Sequence, residues 1–246
     1  MEYSRPQDII FNDTQIQSLK EIHSEPYSLK GFFSTDDIKY INEQRDQGVS
    51  VDKLGKISNW KYDKNIEFKK WLESKFSTTL DRKFTMHGGN YFQTTIPFFV
   101  HTDTGKNEVE NMVPYKNIVI PLTQSTKEHP CYTVLFKQRW YGEATMFWKG
   151  PMFLKAKTDY NHKLKDYSML QDYTGADIDI NEYKDFLTHL PYNNLHGLSI
   201  DSVYEWNIGD IIVFDCTQLH SSNDFTSKGT SIPKFALSYF CRIQNG

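Results

Sequence analysis

The chain has 246 residues, enough for one sizeable core without disulfide or metal staples. Its 28 Lys+Arg against 31 Asp+Glu leave a net charge of −3, so no overall field steers it toward nucleic acid or an anionic membrane. Cys131, Cys216 and Cys241 are odd in number and far apart, which excludes a disulfide framework and a Cys-x-x-Cys zinc site.

The opening MEYSRPQDIIFNDTQ lacks a basic segment followed by an apolar run, so it does not read as a secretory signal. No apolar stretch approaches the ~20 residues that span a bilayer. A soluble protein of the reducing cytoplasm is expected. Met1 to about Asp8 reads as a loose tail. Pro26 to Phe33 reads as a short strand. Ser34-Thr-Asp-Asp37 offers a hydroxyl cap and acids for a first turn, with Ile38 and Ile41 following at helical spacing, so a helix starts there. Gly48 to Asn59 is polar and reads as a loop. Asn65 to about Thr78 predicts a second helix with Ile66, Phe68, Trp71, Leu72 and Phe76 on its apolar face.

From about Lys83 the pattern becomes extended. Phe84 to Val100 is interrupted by Gly88-Gly89, a turn or bulge signal. Lys116 to Leu122, Cys131 to Lys137, Ile208 to Asp215 (after a turn at Gly209-Asp210) and Lys234 to Ile243 read as further short strands. Helices followed by short strands predict one domain over residues 1–246: a strand and helices over 1–82 packed on a β core over 83–246. The aromatic stretch of about 138–204, with a helix near Ile180 to Leu190, reads as an insertion covering the barrel mouth. Trp140, Trp148 and Trp206 suit a pocket lining and core packing equally.

The residues that carry chemistry are His101-Thr102-Asp103 and His220. Two residues one apart on a strand point to the same face, so His101 and Asp103 can grip one ion. A second histidine from a distant strand completes a facial triad with open positions, the solution used by non-haem Fe(II) oxygenases. With 8 His and 31 acids in 246 residues, about one His-x-Asp/Glu triplet arises by chance, and His23-Ser24-Glu25 is another. Context separates them. His101 follows the apolar run Ile96 to Val100, whereas His23 lies in a polar segment before Pro26 and reads as a surface histidine. His220 begins a Ser-Ser-Asn stretch read as a loop or strand edge. His87, His129, His162, His189 and His196 have no ligand-like spacing and read as surface or loop.

Alternation along Lys-Phe-Ala-Leu-Ser-Tyr-Phe puts Lys234, Ala236 and Ser238 on one face and Phe235, Leu237 and Tyr239 on the other. The first face suits a barrel interior that holds a dicarboxylate such as 2-oxoglutarate, since a buried lysine needs an anion. The bland alternative is a solvated lysine opening a strand.

Taken together, HTD at 101–103, NIVIPLT at 117–123, GDIIVFDCTQLHSSN at 209–223 and KFALSYF at 234–240 resemble the Fe(II)/2-oxoglutarate-dependent dioxygenase superfamily. The phytanoyl-CoA-dioxygenase-like and prolyl-hydroxylase-like members are the most similar in pattern, over about Tyr91 to Ile243. The resemblance implies a mainly β double-stranded β-helix (jelly-roll, cupin-like) core and Fe(II) on His101, Asp103 and His220. It further implies 2-oxoglutarate as co-substrate, Lys234 on its distal carboxylate, and release of succinate and CO2. Tyr91 stands where some prolyl-hydroxylase-like members place a tyrosine on the same carboxylate. Many members carry Arg where Lys234 stands, nearer the second histidine, which leaves Lys228 and Arg242 as further candidates. Related halogenases lack the carboxylate that Asp103 supplies, so the resemblance implies hydroxylation or another oxidation, of a small molecule or a side chain. Two other classes stay open: a cupin-like metalloprotein (an isomerase or a cofactor-independent dioxygenase) and a non-catalytic ligand-binding jelly roll.

Overall fold

The computed structural model describes residues 11–46, 49–54, 57–61, 65–104, 112–142, 145–147, 162–164, 170–229 and 232–244. The stretch read as a tail, Met1 to Asp8, lies outside them, as does Trp148.

Helix α1 (Asp13–Glu21) starts at a capping box: Gln15 N–H donates to the Asn12 side chain, and Asn12 N–H donates to Gln15 Oε1. Strand β1 (Tyr27–Leu29) precedes α2 (Thr35–Asp46). The expected cap of α2 forms, with Asp37 N–H donating to Ser34 Oγ and Ser34 N–H to Asp37 Oδ2. Next come β2 (Val49–Leu54) and β3 (Ile57–Lys61), an antiparallel pair where the sequence read as a loop. Polar composition misled there: β2 is the outermost strand of its sheet, and an edge strand needs backbone pairing more than apolar side chains. Helix α3 (Ile66–Phe76) is capped by Asn65 and buries Phe68, Leu72 and Phe76, while Ile66 at its first residue stays 62% exposed.

The β core follows as β4 (Thr85–Thr94), β5 (Met112–Pro121) and β6 (Tyr132–Arg139). Then come β7 (Thr145–Phe147), β8 (His162–Leu164), α4 (Ile180–Phe186) and a short 3-10 turn at Tyr192–Leu195. The chain ends in β9 (Ile200–Glu205), β10 (Ile211–Asp215), β11 (Gln218–Ser222) and β12 (Lys234–Gln244). A large seven-stranded sheet has the order β1-β10-β5-β12-β4-β3-β2. A smaller sheet has the order β11-β6-β9. His101 extends it as a one-residue bridge between His220 of β11 and Met146 of β7, and β7 pairs with β8.

Followed along the chain, β4, β5, β10 and β12 fall on the large sheet while His101, β6, β9 and β11 fall on the small one. The spatial orders β4-β12-β5-β10 and His101-β11-β6-β9 are those of a double-stranded β-helix. Strand β9 lies inside the stretch 138–204 read as insertion, so the excursion leaves the core after β6 and returns at β9. Its residues IDSVYE lack the β-branched run that marked the other core strands.

Alternation sorts three buried clusters. The outer face of the large sheet (Tyr91, Ile118, Ile120, Leu237, Tyr239) packs on Leu19, Ile41, Phe68, Leu72 and Phe76 of the helices. Between the sheets lie Val119, Cys131, Leu135, Trp206, Ile212, Phe214, Phe225 and Ala236. The outer face of the small sheet (Val134, Phe136, Leu219) packs on Phe147, Leu187, Leu190 and Leu195 from the excursion. Each such fully buried aliphatic or aromatic side chain contributes roughly 1.5–3 kcal/mol. No helix among the described residues is long and apolar enough to cross a membrane. Cys131, Cys216 and Cys241 are unbridged and buried.

Candidate metal centre

His101 and His220 are direct antiparallel partners: His101 N–H donates to His220 O at 2.9 Å and His220 N–H to His101 O at 3.0 Å. Residues opposite one another on neighbouring strands project to the same face, so both imidazoles enter the space between the sheets. Their ring centroids are 4.0 Å apart. Asp103, two residues beyond His101, joins them, its N–H donating to Cys216 O at 3.3 Å. His220 thus lies within β11, the outermost strand of the small sheet, and its pairing with Leu135 and His101 is what aims it.

The donor atoms of His101, Asp103 and His220 all lie within 4.8 Å of one another. Asp103 Oδ1 is 3.9 Å from His101 Nε2, and Asp103 Oδ2 is 3.1 Å from His220 Nε2. On the far side of each ring, His101 Nδ1 lies 2.7 Å from Phe99 O and His220 Nδ1 lies 3.2 Å from Gln218 O. A carbonyl only accepts, so each Nδ1 donates there, which leaves Nε2 as the nitrogen turned toward the carboxylate and available to an ion. Burial, helped by the neighbouring His220, pushes His101 down to about 3, so it is neutral in ordinary buffers, the form that ligates. Two imidazole nitrogens and one carboxylate oxygen, with side chains only 7–11% exposed, fit a divalent first-row metal with positions left open.

Asn117 of β5 was not singled out by sequence. Its Nδ2 donates to Asp103 Oδ2 at 2.6 Å. The signal available was an amide within the apolar run NIVIPL of a central strand.

Lys234 opens β12, 2% exposed and pointing inward as alternation predicted. Its Nζ donates to Tyr132 O at 2.6 Å and sits 3.8 Å from the Trp206 ring centroid and 5.7 Å from that of Phe225. Among the described residues no carboxylate pairs with it. Burial pushes its pKa down to about 7. The inner cluster connects this lysine with the metal centre: Trp206 and Phe225 flank Nζ, and Phe214 packs on the His220 ring at 4.7 Å.

Tyr91 does not reach this space. It pairs with Leu237 on the helix-covered face, its Oη donates to Ile41 O at 2.6 Å, and its ring lies among Phe68 and Phe235. Strand parity decides this, because Tyr91 shares the face of Leu237 and not that of Lys234. Lys228 is exposed, with Nζ donating to Lys127 O. Arg242 is 1% exposed near the other end of β12, beside Pro114 and Thr85. Trp140 is buried in the cluster outside the small sheet and Trp206 in the inner one.

His23 departs from the surface expectation, and His129, on a loop as expected, is buried there. His23 is half-buried and stacked on Tyr141 at 5.9 Å, and burial together with Arg139 pushes it down to about 4. His129 is 2% exposed and edge-on to Phe225. His87 and His196 are at the surface or near it, His196 pairing with Asp177 at 2.8 Å. His189 is partly buried, its Nε2 lying 3.2 Å from Phe98 O. The His162 side chain lies outside the described residues.

Fold and site together define a double-stranded β-helix carrying a two-histidine, one-carboxylate centre in its lumen. No protein-family model matches the chain and no curated protein sequence matches it. Solved structures do. HygX from Streptomyces hygroscopicus, with nickel, 2-oxoglutarate and hygromycin B bound, is 9% identical, with 94% of this chain and 87% of that one covered at a TM-score of 0.49. The non-heme alpha-ketoglutarate-dependent carbocyclase SnoK from nogalamycin biosynthesis is 12% identical, with 97% and 87% covered at 0.48. EctD from S. alaskensis is 13% identical, with 96% and 82% covered at 0.49.

Proposed function

We propose that the chain is an Fe(II)- and 2-oxoglutarate-dependent oxygenase that oxidises a small molecule, most simply by hydroxylation, and releases succinate and CO2. The observation that carries this is a pair of features between the two sheets: the His101/Asp103/His220 cluster, and the buried Lys234, which no carboxylate of the described residues accompanies. A buried ammonium without an anion is costly, and a dicarboxylate chelated at the metal by its 2-oxo acid end would bring one.

His101, Asp103 and His220 would hold the metal. Lys234 would fix the distal carboxylate as a point charge, with Trp206 and Phe225 keeping water from it. Iron with 2-oxoglutarate bound there would supply the oxidising power, drawn from dioxygen and the oxidative decarboxylation of the co-substrate to succinate and CO2. The chain's own part is positioning and exclusion of water. The excursion between β6 and β9 borders the site, since Met146 bridges to His101 and Phe147 N–H donates to Val100 O at 2.9 Å. That placement supports substrate selection by the excursion. The three unbridged cysteines support a reducing compartment, the cytoplasm.

The test is an anaerobic Fe(II) titration with 2-oxoglutarate, following the weak visible charge-transfer band of the chelate, in wild type and Lys234→Ala. A band is expected in wild type. In the variant the co-substrate should bind about 2–5 kcal/mol more weakly, roughly thirtyfold or more. A folded, iron-loaded wild type that shows no band points instead to a cupin-like metalloprotein or a non-catalytic binding module.

A further inference from the structure

Asp103 is the one anionic donor of the centre, and its orientation is set from another strand. A carboxylate accepts and does not donate, so the Asn117 atom 2.6 Å from Asp103 Oδ2 is the amide nitrogen. That fixes the other end of the amide. Asn117 Oδ1 is sealed from solvent and receives no hydrogen bond from any described residue. The side chain is 1% exposed, on β5 between β10 and β12, opposite Phe214 and Phe240. Its neighbours in sequence are Ile118, Val119 and Ile120, all buried.

An amide in such a place harms the fold. Its acceptor is desolvated and unsatisfied, while an apolar side chain of similar volume would fill the same space without a polar atom. Among the described residues its one side-chain hydrogen bond goes to Asp103. The position therefore makes physical sense through the carboxylate it holds.

We infer that Asn117 is a positioning residue of the metal centre, holding Asp103 through Nδ2–H so that the carboxylate meets an ion in one fixed rotation. This rests on the proposed assignment of His101, Asp103 and His220 as the metal ligands. Without the amide, the Asp103 carboxylate can turn toward His220 or away from both rings, and the donor set must be reorganised each time an ion binds. Ligand-orienting hydrogen bonds of this kind change metal affinity by about 10–100-fold.

The experiment compares Asn117→Leu, Asn117→Val and wild type as apoproteins. Leu keeps the branching of Asn117 at greater bulk, and Val is nearer its volume and suits a central strand, so at least one folded variant is expected. Fe(II) and Co(II) are titrated anaerobically by calorimetry, and the visible d–d spectrum of each Co(II) form is recorded. Neither readout needs turnover. Both variants should fold with melting temperatures close to wild type, bind either metal 10–100-fold more weakly, and show a shifted Co(II) spectrum. Folded variants with unchanged affinity and an unchanged spectrum overturn the role of Asn117 while leaving the centre standing. Wild type that takes up neither metal, or that takes up metal as well after His101→Ala, overturns the centre itself and this inference with it. A large fall in melting temperature with unchanged affinity in the folded fraction makes Asn117 a structural residue and also overturns it.

Discussion

Lys234 carries a consequence that His101, Asp103 and His220 do not. In the ligand-free protein its amine titrates near pH 7, because burial against Trp206 and Phe225 disfavours the charge. The groups around it do not restore that charge: Tyr132 offers a carbonyl, Cys131 a thiol pushed up to about 11 by burial, and His129 a ring whose pKa burial lowers. A dicarboxylate prefers the ammonium, so above about pH 7 binding must first take up a proton. The dissociation constant of 2-oxoglutarate should be flat below about pH 6 and rise toward tenfold per pH unit above 7. Lys234→Arg keeps its charge throughout and should bind with little pH dependence. Calorimetry from pH 6 to 9 on both proteins checks this, and equal slopes in the two would remove Lys234 from the co-substrate site. The same shift acts on stability. The folded-state value lies below the ordinary lysine value, so between about 7 and 10.5 the unfolded chain holds the extra proton and stability rises with pH.

At the scale of elements, β12 shows how one strand serves two spaces. Lys234 and Ala236 face the lumen, and Phe235, Leu237 and Tyr239 face the helices. Tyr239 is fully buried against Phe76 at 4.9 Å, and its Oη has no hydrogen-bond partner among the described residues. Removing that hydroxyl removes a desolvation cost, so Tyr239→Phe should leave stability unchanged or raise it by about 1 kcal/mol. Urea unfolding measures this, and a loss of 1 kcal/mol or more would mean the hydroxyl is satisfied. The alternation of β12 was legible because side-chain identity changes sharply from one face to the other. The cap of α2 was legible because Ser34 and Asp37 pair within four residues; the box of Asn12 and Gln15 at α1 is equally local but was not singled out in the sequence. The β2–β3 hairpin and β9 were not legible, since backbone pairing, of β2 with β3 and β3 with β4 in the first case and with β6 in the second, holds strands whose own residues favour no one state. The centre divides the same way. The pairing of His101 with Asp103 was legible from their spacing, although only His101 is strand-paired, as an isolated bridge, whereas Asn117 and the exclusion of Tyr91 depend on which strands neighbour one another.

For the molecule as a whole, the lumen joins the two sheets at both ends of the site. Asp103 comes from the chain just after the bridge at His101 and is held by β5 of the large sheet, while His220 belongs to the small sheet. Lys234, on the large sheet, donates to Tyr132 of the small one. An ion at the centre would therefore couple the sheets through Asp103 and Asn117, and a dicarboxylate reaching Lys234 would tie them a second time. Binding to the folded state alone stabilises by mass action, about 2.7 kcal/mol when free ligand is a hundred times its dissociation constant. For a domain of this size that corresponds to a rise in melting temperature of roughly 5–10 °C. Fe(II) or Co(II) alone should raise the melting temperature, with a chelator reversing it. Adding 2-oxoglutarate should raise it again only when metal is present, because one end of the co-substrate is held by the ion. The variants separate the two steps. His101→Ala should lose both shifts, whereas Lys234→Ala should keep the metal shift and lose most of the second. Anaerobic thermal unfolding reads all of these. A co-substrate shift of equal size without metal, or undiminished in Lys234→Ala, would show that the dicarboxylate binds elsewhere than between the His101 centre and β12.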